Sequence, residues 1–443
     1  MTGAGSRQHS DADKSHAHNR VSCWFVPPLP WAALTFVLVT AAGWSKTLPL
    51  IADSIAYRAL ALGQSEQVVG SIAGRILHPA FVRFVAWTLS LNIDQAFFVV
   101  DLIALAILAG TVAWILKHVA GFGALVLPLL FTPVLVREMF GLYYCQDLFY
   151  AALLGCFFVT LIKRRTWLAL ALLFPLYLAR ESTLLLAFVW AGFAWFESDF
   201  FVVGACAAVT LAGLIVSRMF ASMGMPNIHQ TNELVFLALK PPFDSLRNLL
   251  GLVLVPDEMR GMQGFTCPPV VMVHLPRYLR YGFTKQFGIC YPDLKIPLHA
   301  FTLWLSLFGI GPAVLWAFIR RNGRRALVDS PLWLKLAAIY GLLAFFIAPA
   351  VSFWLERDIG YSWPAFWLAT PALFRVGPGV TFGVVVALLF ENLAACWIPN
   401  ALGIGSSHSV AAFCAALAMQ VLAVWTLKAP VHDEALHVHR VAR

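Results

Sequence analysis

"AFFVVDLIALAILAGTVAWIL", residues 96–116, is an apolar run that contains one charged residue, Asp101. A helix needs about 20 such residues to cross the hydrocarbon core of a bilayer, where every backbone amide must be bonded inside its own segment. The rest of the chain has the same character, because 60% of its 443 residues are hydrophobic and 12% are charged. The sequence therefore predicts an all-α polytopic membrane protein rather than a water-soluble one.

Comparable apolar runs recur along the chain and predict about twelve transmembrane helices. Their expected ranges are 30–46, 96–116, 119–136, 147–162, 166–180, 183–196, 201–218, 299–319, 331–353, 361–374, 379–397 and 408–427. The segment 76–91 is the best candidate for a further membrane-embedded piece. Two long connections, 47–95 and 219–298, are expected to carry amphipathic helices at the membrane surface.

Lysine and arginine residues set the predicted orientation, because basic loops stay on the cytoplasmic side of a membrane. The strongest basic runs are 163–165 and 320–325. With twelve spans, the two termini lie on the same side of the membrane, and both basic runs lie on that side as well. The termini are therefore expected in the cytoplasm, and the two long connections are expected outside. The net charge of +9 then reflects topology, and nucleic acid is not an expected partner.

The predicted organisation has two transmembrane modules separated by a large outer loop. A cytoplasmic tail is expected at 1–29, an N-terminal module with the first outer loop 47–95 at 30–218, and the large outer loop at 219–298. A C-terminal module is expected at 299–427 and a second cytoplasmic tail at 428–443.

The sequence contains no phosphate-binding P-loop, Cys-x-x-Cys pair, His-Glu-x-x-His or Gly-x-Ser-x-Gly motif, so ATP-driven transport and the commonest hydrolase sites have no support. No set of metal ligands is predicted, and the need for a divalent metal stays open. Cys267 and Cys290 lie in the large outer loop. A disulfide between them would stabilise the loop by about 3 kcal/mol in an oxidising compartment, and free thiols are the alternative.

A carboxylate follows the first apolar run, in the segment IADSIAYRAL at 51–60. If 52–62 is helical, Asp53 and Tyr57 share one face, since residues four apart are neighbours on a helix. Such a loop holds polar groups at the membrane surface, where they could meet a ligand. The alternative is that Asp53 only caps a short helix, because helix N-termini favour acids.

Two stretches of the first outer loop and second span carry a resemblance: ADSIAYRALALG at 52–63 and AGRILHPAFVRFVAWTLSLNIDQAFFVVDLIAL at 73–105. Together with QDLFYAALLGCFFVTLIKRRTWLALALLFPLYLARESTLLL at 146–186, they resemble bacterial integral-membrane glycosyltransferases of the GT-C superfamily. The resemblance implies a multispan fold in a bacterial cytoplasmic membrane, a sugar donor linked to polyprenyl phosphate, and an essential acid in the first outer loop. That acid would be Asp53. The second, adjacent carboxylate of the commonest signature is missing here.

The expected reaction moves the donor sugar to a lipid-linked or cell-surface glycan, with Asp53 as the general base that takes the proton of the attacking hydroxyl. Arginine side chains suit the departing phosphate because they bind it through two hydrogen bonds. The residues expected to bind substrate are Tyr57, Arg58, Arg75, His78, Arg180 and Arg357. Arg180 and Arg357 each have acidic neighbours in sequence, so a structural salt bridge is the alternative role for both.

Arg277 and Arg280 alternate with aromatic residues in HLPRYLRYGF, at 274–283. This pattern predicts lipid contact, in which the stretch holds a lipid phosphate or sugar rings. The alternative is a basic amphipathic helix that rests on anionic headgroups.

Two other functions are compatible with the residues. A transporter or flippase of a lipid-linked saccharide would use the charged residues inside spans, Asp101 and Glu391. An O-antigen ligase or polymerase would instead depend on His274, Arg277 and Arg280 in the large outer loop.

Overall fold

The structure is a computed structural model, which describes several separate parts of the chain. These are residues 52–68, 70–115, 144–224, 233–252, 254–256, 271–274, 286–289, 294–308, 311–313, 315–316, 330–351, 355–369 and 410–426. Within these ranges the chain is predominantly helical, as the sequence predicts.

The first described helices surround one small core. They are α1 (Ala52–Leu62), α2 (Gly70–Ala73), α3 (Leu77–Leu89) and α4 (Ile93–Ile115), with a 3₁₀ turn at Ser65–Gln67. Helix α1 covers the range over which Asp53 and Tyr57 would share one face. Tyr57 from α1, Val82 from α3 and Phe97 from α4 are all fully buried in this core. Helix α3 is two-sided, since Trp87 on its other face is 79% exposed.

Three short links then join four helices that fold back on one another. They are α5 (Asp147–Ile162), α6 (Thr166–Ala179), α7 (Thr183–Phe196) and α8 (Phe200–Ala221). Arg164 and Ser198, in two of the links, have φ angles of 55° and 60°, a conformation that ends a helix. The N-terminus of α5, the C-terminus of α6 and the N-terminus of α7 therefore lie at one end of the helical bundle. Helix α5 packs against α4 and α6, and α8 packs against α6 and α7.

The C-terminal part of the described chain supplies the remaining helices. They are α9 (Glu233–Leu250), α10 (Lys295–Ser306), α11 (Leu332–Val351), α12 (Leu355–Gly360), a π-helix at Pro364–Ala369, and α13 (Val410–Thr426). Helix α11 packs against α7, α9 and the π-helix, while α10 packs against α9 and α13. The main hydrophobic core runs from α4 through α5–α8 to α11 and the π-helix.

Three of the described helices are long and apolar enough to cross a membrane: Ile93–Val112, Phe200–Ala221 and Leu332–Ala350. They coincide with the predicted spans 96–116 and 201–218 and with the greater part of 331–353. Helices α5, α6 and α7 are also apolar but have 16, 14 and 14 residues. At 1.5 Å per residue they rise about 21–24 Å, less than the hydrocarbon thickness of about 30 Å.

Two other predicted spans differ from the structure. The predicted span 299–319 starts within α10, which ends at Ser306, where Gly309, Gly311 and Pro312 follow closely and disfavour a continuous helix. The predicted span 361–374 begins instead with a turn and the π-helix at Pro364–Ala369, so the described part of this range is not a continuous α-helix. The predicted spans 30–46, 119–136 and 379–397 lie outside the described residues, as do Cys267, Cys290, Arg277, Arg280 and Glu391.

The all-α prediction is wrong for part of the large outer loop. Strands β1 (Leu254–Pro256), β2 (Val271–His274) and β3 (Gln286–Ile289) form an antiparallel sheet in the order β1-β3-β2. Strands of three or four residues carry too few positions for alternating hydrophobicity to be recognised in sequence. The valines of β2 favour extended structure locally, which the interleaved apolar stretches of this loop obscure.

A proline near the end of α11 links this helix to two others. Pro349 has no N–H to donate to the Phe345 carbonyl, and the indole nitrogen of Trp304 in α10 donates to that oxygen at 3.0 Å. The Pro349 carbonyl in turn accepts a hydrogen bond of 2.9 Å from Asn248 in α9. The interruption of the helix is thus stabilised by side chains from its neighbours.

Candidate functional site

Five charged side chains from distant parts of the sequence meet at one end of the helical bundle. Asp53 lies in the first turn of α1, Asp147 begins α5, Arg180 follows α6, and Arg357 and Asp358 belong to α12. In spatial order they are Asp53, Arg357, Asp147, Arg180 and Asp358, and this set is called the charged array below.

Acids and guanidinium groups alternate along the array. Arg357 Nη1 donates to Asp53 Oδ2 at 2.8 Å, and its Nε lies 2.6 Å from Asp147 Oδ2. Arg180 Nη1 donates to Asp147 Oδ1 at 2.7 Å, and its Nη2 donates to Asp358 Oδ1 at 2.5 Å. Each arginine therefore joins two carboxylates, and Asp147 is shared by both arginines.

Burial differs between the middle and the ends of the array. The side chains of Asp147, Arg357 and Arg180 are 1%, 6% and 10% exposed. Those of Asp53 and Asp358, at the ends, are 30% and 20% exposed. The array thus has a buried, ion-paired centre and offers a carboxylate at each end, with one more carboxylate than guanidinium in total.

Tyr361 completes the surroundings of Asp147. Its hydroxyl donates a short hydrogen bond to Asp147 Oδ1, and its ring lies 4.2 Å from the Arg180 guanidinium, in cation–π contact. Burial is the largest single influence on Arg357 and lowers its pKa, but the Asp147 carboxylate, with smaller contributions from Cys145 and Tyr57, raises the pKa of Arg357 well above its ordinary value. The buried charges are therefore held by one another, as buried charges must be.

A second ion pair adjoins the array. Arg75 Nε donates to Glu181 Oε2 at 2.8 Å and Arg75 Nη2 donates to the other Glu181 oxygen, while Arg75 Nη1 donates to the Tyr57 hydroxyl at 3.1 Å. Glu181 follows Arg180 directly, and Arg357 acts electrostatically on the buried Tyr57. The desolvation of Tyr57 raises the pKa of its phenol.

The Glu181 carboxylate gives a testable pH dependence. Desolvation raises the pKa of Glu181, but the charge and the hydrogen bond of Arg75 together lower it by more. The pKa of Glu181 therefore falls from the ordinary 4.5 to about 2. A carboxylate whose pKa is lower in the folded protein than in the unfolded chain stabilises the fold fully at pH values above its unfolded-state pKa. This contribution is lost as the pH falls through the folded-state pKa. We expect the difference in melting temperature between wild type and Glu181→Gln to be constant near neutral pH and to shrink between pH 4.5 and 2.

Thermal unfolding of both proteins at a series of pH values measures this difference. The side chain of Glu181 is 57% exposed, so a small effect is expected. A difference that stays constant down to pH 2 would contradict the role given to Arg75.

The other predicted site residues lie elsewhere. Arg58 is bound to Asp94 at 2.7 Å and 3.2 Å, and Tyr144 donates to the same carboxylate at 3.0 Å. His78 has no exposed surface, and its Nε2 lies 3.6 Å from Asp101. The structure thus brings Asp53, Arg180 and Arg357 together, places Tyr57 and Arg75 beside them, and separates Arg58 and His78 from the array.

Three residues of the site were missed from sequence: Asp147, Asp358 and Tyr361. An acid opening an apolar helix, as Asp147 does, is ordinarily interpreted as a favourable helix terminus, and nothing in the sequence distinguishes it further. The salt bridges considered for Arg180 and Arg357 were with neighbours in sequence. The structure instead pairs Arg180 with acids 33 and 178 positions away.

In the described part of the chain, no three histidine, cysteine, aspartate or glutamate side chains are placed so that they could hold a metal ion. His274, considered for the ligase alternative, is exposed at the end of β2.

The charged array combines partly exposed carboxylates with guanidinium groups anchored in the protein interior, an arrangement that can accept a proton from a substrate hydroxyl or bind a polar group. Comparison of the chain with protein-family models, with curated proteins and with solved structures gives no match, so the site's chemistry rests on this geometry alone.

Proposed function

We propose that the chain is a membrane glycosyltransferase that moves a sugar from a polyprenyl-phosphate donor to a lipid-linked or cell-surface glycan. Asp53 is the general base. The proposal is carried by one observation: the partly exposed Asp53 carboxylate is held at 2.8 Å by Arg357, whose guanidinium is itself anchored on the buried Asp147. A base held in this way has a fixed direction, which proton transfer requires.

The chemistry of sugar transfer suits such a group. A sugar hydroxyl is a weak nucleophile, and a positioned carboxylate that takes its proton as the new bond forms contributes typically about 10²- to 10⁴-fold to the rate. Within the described part of the chain, the carboxylate of Asp53 accepts one hydrogen bond, which Arg357 donates. Asp53 therefore keeps lone pairs available for an acceptor hydroxyl.

The departing phosphate needs positive charge nearby. Arg75 and Arg180 are the proposed contacts, because their carboxylate partners Glu181 and Asp358 are 57% and 20% exposed. An incoming phosphate could replace those carboxylates in the two-pronged hydrogen bonding that guanidinium groups favour. Both arginines would then stabilise the negative charge that develops on the leaving group.

The position of the array agrees with an outer-face reaction. The array lies where α5 and α7 begin, whereas the basic link 163–165 follows the other end of α5. Basic links remain in the cytoplasm, so the array is proposed to face outward, with both termini inside. A bacterial cytoplasmic membrane is the proposed location.

Replacing Asp53 with asparagine tests the assignment of the base. The purified protein in lipid vesicles is supplied with a panel of radiolabelled polyprenyl-phosphate hexoses and pentoses and with lipid-linked glycan acceptors. We expect Asp53→Asn to lower the transfer rate by about 10²-fold or more, since the base is lost, while the protein stays folded. Glu197→Gln is the matched control, because Glu197 is a half-exposed acid at the opposite end of α7.

Transfer by Asp53→Asn at the wild-type rate would reject Asp53 as the base. A carrier of lipid-linked saccharides is the second candidate, and the specific observation in its favour is the fully buried Asp101 within α4. Vesicles that move a fluorescent lipid-linked saccharide between leaflets, with no transfer of its sugar and no effect of Asp53→Asn, would favour the carrier.

A further inference from the structure

A second pair of ionisable side chains lies deep in the bundle, outside the charged array. His78 belongs to α3 and Asp101 to α4, and neither has any exposed surface. Nε2 of the imidazole is 3.6 Å from Oδ1 of the carboxyl group. Neither ring nitrogen of His78 and neither oxygen of Asp101 has a hydrogen-bond partner among the described residues.

The surroundings of the pair are apolar. The rings of Phe97 and Phe149 lie 5.4 Å and 5.3 Å from the imidazole. Asp147 of α5 is the charged group whose field reaches both members of the pair. Since the array surrounds Asp147 with two guanidinium groups, its charge does little to stabilise an imidazolium.

The pair can hold the same number of protons in two charge states. One is an imidazolium with a carboxylate, and the other is a neutral imidazole with a carboxylic acid. An imidazolium–carboxylate pair would carry two buried charges without the additional hydrogen bonds that normally offset their desolvation. A neutral pair needs only a small side-chain movement, from 3.6 Å to the usual hydrogen-bond distance of about 2.7 Å. The neutral pair is therefore favoured.

We infer that His78 and Asp101 form a buried proton-binding site, in which protonated Asp101 donates to Nε2 of neutral His78. The ligand is a proton taken from water, and its release leaves an unpaired carboxylate at the contact between α3 and α4. Because α3 also packs against α1, which carries Asp53, proton release loosens the support of the charged array. The inference does not depend on the proposed glycosyltransferase activity.

Infrared difference spectroscopy of the purified full-length protein tests the site. A protonated carboxylic acid has a carbonyl band that is separate from the bands of ionised carboxylates and shifts in D₂O. We expect the wild type to show this band at neutral pH, Asp101→Asn to lack it, and Glu197→Gln to retain it. In His78→Phe the band should persist and move to higher frequency, because the carboxylic acid of Asp101 loses the hydrogen bond that its O–H donates.

A wild-type spectrum without the band, or an Asp101→Asn spectrum that keeps it, would overturn the inference. Stability supplies an independent readout, because asparagine can still donate to His78 but has no proton to lose. The melting temperature of Asp101→Asn relative to wild type should rise as the pH increases from about 5 to about 9. A difference that stays constant across this range would mean that the pair releases no proton there, and it would overturn the inference. Because the neutral pair and an ion pair hold the same number of protons, the melting temperatures do not distinguish them, and the infrared band makes that distinction.

Discussion

Asp147→Asn is expected to destabilise the protein by about 3–5 kcal/mol, the usual cost of removing one partner from a buried ion pair. Asparagine has nearly the same size, so the change removes charge rather than volume. Two buried guanidinium groups, those of Arg180 and Arg357, would lose the carboxylate that they share. Thermal and denaturant unfolding of the purified protein in detergent micelles would measure the loss.

Asp358→Asn is the matched comparison for this change. Asp358 contacts the same Arg180, but its side chain is 20% exposed, so water can replace it and the expected loss is about 1 kcal/mol or less. Removing Arg357 together with Asp147, as Arg357→Gln, should restore part of the stability, because one uncompensated charge disappears. An Asp147→Asn protein as stable as wild type would contradict the central place of Asp147.

Gly341→Ala is expected to destabilise the protein by about 1–3 kcal/mol, the range for inserting a methyl group into a packed interior. A Cβ at this position of α11 would lie 2.6 Å from both the Cβ and the backbone nitrogen of Ala365. The π-helix containing Ala365 would have to shift, and all of its residues are buried. A lower melting temperature is the expected measurement.

Gly192→Ala in α7 is the control for this prediction. Nothing lies within 4 Å of a Cβ built at Gly192, and alanine favours a helix by about 1 kcal/mol over glycine. Gly192→Ala should therefore be neutral or slightly stabilising. If both alanine variants melted at the same temperature, the close packing of α11 on the π-helix would be refuted.

The helices could be predicted from sequence wherever an apolar run was long and uninterrupted. The predicted ranges 147–162 and 183–196 match α5 and α7 residue for residue, because hydrophobicity over a dozen or more residues averages out local exceptions. The prediction failed where short-range features decide the structure. One expected span ends early, at Ser306, shortly before two glycines and a proline. Another begins with a turn and a π-helix, and the strands of the large loop are too short to show a period.

The site was predictable only in part, for a related reason. Asp53, Arg180 and Arg357 attract attention as charged residues beside apolar runs, and a charge near the membrane surface is informative by itself. Which charges meet is a property of the tertiary fold, and Asp53 and Arg357 are separated by 304 positions. Asp147 could not be predicted as a site residue, because its role depends on contacts with two arginines and neither of them is close to it in sequence.

The separation of the array's members along the chain also orders its biogenesis. During synthesis, α1, α5 and the link containing Arg180 leave the ribosome long before α12 does. Until α12 is inserted, Asp147 has one cation instead of two and Asp53 lacks its partner. Until then, the N-terminal half is expected to be more hydrated and less tightly packed. A chain truncated before residue 355 would keep incompletely neutralised buried charges, and we expect quality-control proteases to degrade it.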